Sequence, residues 1–278
     1  MMNLSGAKRL ESLYSYAQSC NFRISIGVEY RGAAYHGWQK QGLPEVATVQ
    51  GFLERAIAKV ADHPVTLFCA GRTDAGVHAS GQVAHFDVAI DRGEKAWVMG
   101  VNSLLPRDIR VRWAKTVGEE FHARHTAHHR RYEYWIENTP VASAIRSNQI
   151  TWHRQILDAD AMHAQAQELL GERDFSSFRA AGCQSRTAMR YVEEVSVVRK
   201  GDQLCFAIQA NAFLLHMVRN IAGALFEVGA GNVSSNYIKD LLAQKNRSLA
   251  PPTAKADGLY LVEVGYPFTF PAPSTPLF

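Results

Sequence analysis

The chain has little of what marks a secreted, membrane-spanning or metal-clustered protein. Its four cysteines, Cys20, Cys69, Cys183 and Cys205, are scattered with no short paired spacing, which argues against a disulfide framework or a zinc knuckle and fits a reducing compartment. No long apolar run is uninterrupted. The most apolar segment, Asn211 to Gly231, is broken by His216, Arg219, Asn220 and Glu227, so no membrane association is expected. The first twenty residues carry Lys8, Arg9 and Glu11 without an apolar core of signal-peptide length, and a cytoplasmic location is the default expectation. A strong excess of one charge is also missing: the net charge of +4 suits a polyanionic partner without requiring one. What the 278 residues do have is 47% hydrophobic content, enough for one large core or two smaller ones.

Residues 1–21 read as an N-terminal extension with at most a short helix around Leu10, Leu13 and Tyr14. From Phe22 to Tyr30, apolar and polar residues alternate as in a half-buried strand. In the following loop, up to Pro44, packing over the core is the expected role of Trp38. Thr48 is placed to cap a helix with Val49, Phe52, Leu53, Ile57 and Val60 on one face. The apolar run Val65 to Ala70 reads as a buried strand, and Val83 to Val88 as the next. A helix from about Glu94 to Leu105 and a strand through Ile109, Val111 and Trp113 complete the order strand, helix, strand, strand, helix, strand.

That order recurs without a sequence repeat. Tyr132 to Ile136 is a strand, and Asp158 or Asp160 caps a helix ending at Gly171. Arg190 to Val198 and Gln203 to Ala210 form a hairpin, a helix starts near Phe213, and Leu259 to Val264 is the last strand. The expected class is therefore α+β, two ferredoxin-like (βαββαβ) halves joined into one continuous, mainly antiparallel sheet, with helices on one side and a basic cleft on the other. The halves are residues 22–120 and 121–266, and the proline-rich tail 267–278 is expected to be extended or disordered.

The stretch Cys69 to Ala79 sets Arg72 and Asp74 two residues apart inside a glycine-bracketed turn. Thr-Asp-Ala-Gly is good turn chemistry in its own right. A carboxylate at a strand end, on a loop held by a rigid sheet, is equally a place where catalysis sits. Between Phe121 and Tyr132 lie three arginines, Arg124, Arg130 and Arg131, and four histidines. No carboxylate joins them before Glu133, so no metal site is expected; a solvated basic face, or its sharper form of phosphate contact, fits better. By parity with Tyr134 and Ile136, Tyr132 is a core residue. Arg219 falls opposite the apolar stripe of its helix, and Leu259 reads as a strand residue in the core.

Taken as whole strings, these segments say more. Gly71-Arg72-Thr73-Asp74-Ala75-Gly76-Val77-His78-Ala79 resembles the signature of the TruA family of tRNA pseudouridine synthases. Arg124 and Arg131-Tyr132-Glu133-Tyr134 resemble its basic residue before Tyr-x-Tyr, Asn211 to Asn220 its second motif, and Pro252-Thr253-Ala254 with Gly258 to Leu261 its third. The resemblance runs over about residues 22–266, with the motifs in the family's order.

The resemblance implies Asp74 as nucleophile, Tyr132 stacked on the target uracil with a part in moving its C5 proton, and Arg219 ion-paired near the aspartate. It implies Leu259 as the apolar wall of the base pocket, and it singles out Arg124 and Arg131, the two arginines of the phosphate reading. Arg72 would hold phosphate or keep the flipped nucleotide open. The implied reaction isomerises uridines 38, 39 and 40 in the anticodon stem-loop of tRNA, by a homodimer that binds tRNA across both subunits. Pseudouridine formation breaks the ribose bond to N1 of uracil and joins ribose to C5, with nothing added or lost, so no cofactor is required. It needs a carboxylate that is ionised at neutral pH, attacks carbon and leaves again. A neighbouring guanidinium favours that ionised form, and Arg219 is the better candidate for it than Arg72. The rival expectation is a non-catalytic RNA-binding protein with two RRM-like units.

Overall fold

The computed structural model describes residues 22–42 and 46–271. The expected N-terminal helix around Leu10 and the tail beyond Pro271 lie outside them. Over the described residues the protein is α+β, built on one mixed, mostly antiparallel sheet of ten strands with five α-helices. In chain order the elements are β1 (Phe22–Tyr30), α1 (Val49–Ala61), β2 (Phe68–Cys69), β3 (His78–Val88), α2 (Val101–Leu104), β4 (Ile109–Val117), β5 (His129–Asn138), β6 (Thr151–His153), α3 (Ala159–Ala166), β7 (Gly171–Asp174), β8 (Met189–Lys200), β9 (Gln203–Ala210), α4 (Met217–Gly229), α5 (Tyr237–Gln244) and β10 (Leu259–Gly265).

The sheet order is β4-β1-β3-β10-β5-β9-β8-β7, with β2 on β3 and β6 on β5. Its seam is the short parallel pairing of Tyr260 and Leu261 in β10 with His78 and Ala79 in β3. Just beyond it the backbones touch: a Cβ on Gly81 would lie 2.0 Å from the Val262 carbonyl oxygen, so only glycine fits there.

All five helices feed one core. Val49, Leu53 and Ile57 of α1, Val101 of α2, Met162 of α3, Ile221 and Leu225 of α4 and Ile238 of α5 join Ile24, Ile26, Phe86, Tyr134 and Phe206 of the sheet in a single buried cluster. Each such side chain contributes roughly 1.5–3 kcal/mol on leaving water. The Thr48 hydroxyl accepts from Gly51 N and caps α1, and Asp158 accepts from Asp160 N and Ala161 N to cap α3. Trp38 is buried in the same core.

Several expectations are corrected. The face away from the helices is not bare: Val83, Trp113, Phe121 and Ala123 form one small cluster there, and Trp135, Ile150, Cys205, Ala207 and Tyr260 another. Residues of that parity include large apolar side chains, and loops supply the cover that helices do not. The tail expected to be extended or disordered packs on the sheet within its described part, since Phe270 stacks on Trp113 with ring centroids 4.5 Å apart. Val65 to Ala70 is not a full buried strand. It pairs with β3 only at Phe68 and Cys69. The helix expected from Glu94 to Leu105 contains a π-turn at Ala96–Gly100. The α3 helix ends at Ala166, with a 3₁₀ turn to Leu169, and Gly171 opens β7 instead of closing a helix. Strands β6 and β7 and helix α5 have no counterpart in the sequence reading. Most consequential for the site, α4 starts at Met217 and not near Phe213.

Two histidines give the fold a pH dependence. His78 accepts from Gly32 N through Nδ1 at 3.0 Å and reaches the Asp257 carbonyl through Nε2 at 3.1 Å. His85 accepts from Ala123 N at 3.1 Å. Burial pushes both imidazoles down to about 4, and protonation would turn an accepting Nδ1 against an N–H. The unfolded chain takes up these protons near pH 6.5 and the folded chain only near 4, so stability is full above 6.5 and falls as pH drops between the two. Each histidine accounts for up to about 3 kcal/mol. Melting temperature measured from pH 7.5 down to 4.5 is expected to fall across that window, and to fall less in His85→Asn; a flat profile would contradict this.

Candidate active site

The turn that carries Asp74 is tied down on every side. Val77 N donates to the Asp74 carbonyl at 3.2 Å, and Gly76 has φ of 81°, the third position of a type II turn, where a side chain would be strained. The Thr73 hydroxyl shares a 2.7 Å hydrogen bond with the Tyr30 phenol, and the Thr73 carbonyl accepts from Trp38 N at 3.0 Å. Buried Gln82 donates to the Gly71 carbonyl at 2.6 Å. These bonds fix the backbone and leave the Asp74 carboxylate and the Arg72 guanidinium outside the framework.

The Asp74 carboxylate is 26% exposed. One of its oxygens, Oδ2, lies 3.3 Å from Arg219 Nη1 and 3.4 Å from His216 Nε2. Arg219 stands in the first turn of α4, and its backbone and side chain clasp Ala254: Nε donates to the Ala254 carbonyl at 2.8 Å while Ala254 N donates to the Arg219 carbonyl at 3.2 Å. The Pro252-Thr253-Ala254 segment thus holds the guanidinium that faces the carboxylate.

Tyr132 lies on the helix-bearing face of β5 with Tyr134, its ring edge-on to Phe213 at 5.0 Å. A Cβ built on Gly71 would stand 3.6 Å from the Tyr132 hydroxyl, which puts the phenol over the start of the Asp74 turn. Burial, and then the negative charge of Asp74, push this phenol above its ordinary value of 10, so it keeps its proton at neutral pH. Leu261 is the residue opposite Tyr132 in the ladder; Leu259 stands one step along, opposite Tyr134, and is buried on the same face. The site therefore does not open on the helix-free face. Because α4 begins only at Met217, residues 211–216 form a loop, and the Tyr132 end of β5 is left free of helix beside Asp74.

The arginines separate into groups. Arg72 and Arg124 are exposed, and both guanidinium charges act on the Cys69 thiol at the foot of the turn. Arg131 is not with them. It points to the other face, pairs with Glu194 at 3.0 Å, and borders a hollow of about 310 Å³ rimmed by Glu193 and Glu194. The sequence reading passed over Arg130 as a site residue. Arg130 is buried, and its guanidinium donates to the carbonyls of Ala70, Arg124, Ala127 and Asn211, lacing three segments around the site. Its parity with Tyr132 was the signal that could have found it. His216 was also passed over, because the sequence placed it inside a helix. It takes a left-handed backbone (φ 59°) at the helix N-cap, a strained conformation for a β-substituted residue that aims its ring at Asp74. Among the described residues no three His, Cys, Asp or Glu side chains converge to hold a metal ion, and no helix is long and apolar enough to cross a membrane.

A family model described as tRNA pseudouridine synthase matches residues 26–126 and 165–267. These blocks take in Arg72, Asp74, Arg124, Arg219 and Leu259 and leave Tyr132 and Arg131 between them. The chain belongs to the tRNA pseudouridine synthase family, a family of isomerases. Among individual relatives, tRNA pseudouridine synthase A of Escherichia fergusonii is 52% identical over 256 residues, covering 92% of this chain and 94% of the relative. The proteins of the same name from Escherichia coli strain K12 and Shigella boydii serotype 18 match at 52% identity with the same coverage.

Proposed function

We propose that this chain converts uridines 38, 39 and 40 of the tRNA anticodon stem-loop to pseudouridine, with Asp74 as the nucleophile. The observation that carries the assignment of Asp74 is its pairing with Arg219 at 3.3 Å, on a turn held by backbone hydrogen bonds at Gly71, Thr73, Gly76 and Val77. A carboxylate 26% exposed beside a fixed guanidinium is accessible and held on a rigid element, which is what reversible attack on a ribose or pyrimidine carbon needs.

The reaction closes without a cofactor. The bond from C1′ to N1 breaks, the base turns, C1′ joins C5, the proton on C5 is released, and N1 takes a proton. A base inside an RNA stack is out of reach, so the nucleotide is extruded at a cost of a few kcal/mol, offset by new contacts in the pocket. Tyr132 and Leu259 supply the flat and apolar surfaces for that. Because Tyr132 stays protonated, it serves as a stacking platform and hydrogen-bond donor and not as a phenolate base at neutral pH. Arg72 and Arg124, exposed at the rim, take phosphates.

Residues 22–120 and 121–266 are read as two ferredoxin-like halves. The strand order β4-β1-β3-β2 in the first and β10-β5-β9-β8 in the second supports this, since the same arrangement occurs twice. The segments 1–21 and 267–278 stand outside the halves. Assembly into a homodimer belongs to the same reading; sedimentation equilibrium giving one chain mass at working concentration would contradict it.

Binding should be dominated by phosphate contacts. Affinity for unmodified tRNA is expected to fall steeply with added salt, and Arg72→Gln or Arg124→Gln to lower the slope of log K against log salt by about one each. Arg131→Gln, on the far face and already paired with Glu194, is expected to leave the slope unchanged. A wild-type affinity indifferent to salt would count against the RNA reading altogether.

A further inference from the structure

A cationic hollow lies against the loop and helix that border the Asp74 site. It has a volume of about 390 Å³ and is lined by Ser176, Arg179, Gly182, Cys183 and Arg247, among others. Arg179 Nη2 donates to the carbonyls of Cys183 and Ser185, both at 2.8 Å, so the guanidinium folds loop 179–185 around itself. Arg247 donates to the Ala250 carbonyl at 3.0 Å and to Asn220 Oδ1 at 3.1 Å. Among the described residues neither arginine has a carboxylate within ion-pair distance. The nearby acid Asp174 is engaged instead by Lys245 at 3.4 Å and by the Ser176 hydroxyl at 2.6 Å.

A third guanidinium, Arg190, is buried behind the loop. Its Nε has no hydrogen-bond partner, and its charge acts on Arg179 and Cys183. Arg179 and the buried Arg190 repel one another at partly buried positions where screening is weak, and among the described residues no carboxylate lies between them. An anion in the hollow removes that repulsion and gains charge-assisted hydrogen bonds.

The hollow is also coupled to the catalytic loop by backbone. Ala180 N donates to the Leu215 carbonyl at 3.1 Å, and Leu215 N donates to Cys183 Sγ at 3.4 Å. The next residue is His216, whose ring touches Asp74. On the helix side, Asn220 adjoins Arg219 and binds both Arg247 and the Phe178 carbonyl. The hollow is therefore joined to the Asp74 site through the 211–216 loop and α4, and its volume has room for a phosphate with the sugar that carries it.

We propose that the hollow between Arg179 and Arg247 binds a backbone phosphodiester of the RNA strand next to the nucleotide held at Asp74. This rests on the reading of the chain as an RNA-modifying enzyme, and it makes Arg179 a substrate-binding residue.

The test is Arg179→Gln and Arg179→Lys, compared with wild type in tRNA binding over a range of salt and in steady-state turnover. R179Q is expected to raise Kd and KM by about 5- to 10-fold, to lower the salt slope by about one, and to leave kcat within about twofold. R179K restores the charge without the paired hydrogen bonds to loop carbonyls and is expected to regain the wild-type slope. R179Q with wild-type KM and slope would overturn the inference. So would R179K behaving like R179Q, since the arginine would then act only as a loop support. Inorganic phosphate added at constant ionic strength separates the two sources of the anion: no saturable rise in melting temperature is expected, and a saturable rise lost in R179Q would reassign the hollow to free phosphate. Wild-type turnover in the same assay keeps the two readings apart. If wild type makes no pseudouridine, the proposed reaction fails; if it does and R179Q is unaffected, only the phosphate site fails.

Discussion

The Asp74→Asn protein is expected to bind unmodified tRNA within about threefold of wild type and to isomerise it at least about 10⁴-fold more slowly, the scale of loss when a nucleophile is removed. Asparagine keeps the shape of the side chain, and the turn keeps the hydrogen bond from Val77 N to the backbone carbonyl at this position. What disappears is the negative charge and the ability to form and release a bond to carbon. On the proposed reading affinity comes from phosphate contacts elsewhere, so binding and turnover are expected to separate. Release of tritium from C5 of the uracil, followed in single turnover, reads the chemical step directly. An equal drop in affinity would point to a collapsed loop, and retained turnover would falsify the assignment of the nucleophile.

The second large effect belongs to Arg219. Its guanidinium does two things at once, facing Asp74 at 3.3 Å and holding the Ala254 carbonyl at 2.8 Å. In Arg219→Ala the carboxylate loses the fixed positive charge that orients it. A loss of about 10² to 10³ in kcat is expected, the range found when one preorganised electrostatic partner is removed. Arg219→Lys is expected to fall between the two, because an ammonium restores charge but has no planar fork to reach both partners. His216, 3.4 Å from the same oxygen, offers a partial substitute, which is why Arg219→Ala is not expected to reach the loss of Asp74→Asn. If Arg219→Ala turned over like wild type, the ion pair would be incidental to catalysis.

Much of this site was legible in the sequence, for identifiable reasons. The Gly71 to Ala79 string constrains its backbone locally, so the turn it forms is legible without its surroundings. Thr48 and Asp158 cap helices through contacts two or three residues away, which local sequence encodes. The apolar stripe of α4 is buried as the helical spacing requires, at Met217, Ile221, Leu225 and Val228.

What was missed depends on partners distant in the chain. The run Val65 to Ala70 is apolar enough for a strand, but on the free edge of β3 it pairs only at Phe68 and Cys69, while β10 takes the stretch around His78. Arg130 looks like any other basic residue until the carbonyls of Ala70 and Asn211, at 60 and 81 residues' separation, are seen to converge on it. His216 escapes because no periodicity marks where a helix begins four residues late in a left-handed conformation. The direction in which the site opens was misjudged for the same reason, since that late start leaves the Tyr132 end of β5 free of helix on the face the other helices cover.

The most direct test of the central claim is to incubate unmodified tRNA with the wild-type protein and with Asp74→Asn, and to map pseudouridine along each product by chemical labelling. Label at positions 38, 39 and 40 with wild type, and at none of them with Asp74→Asn, is the result predicted. Label appearing equally with both proteins, or with neither, would contradict it.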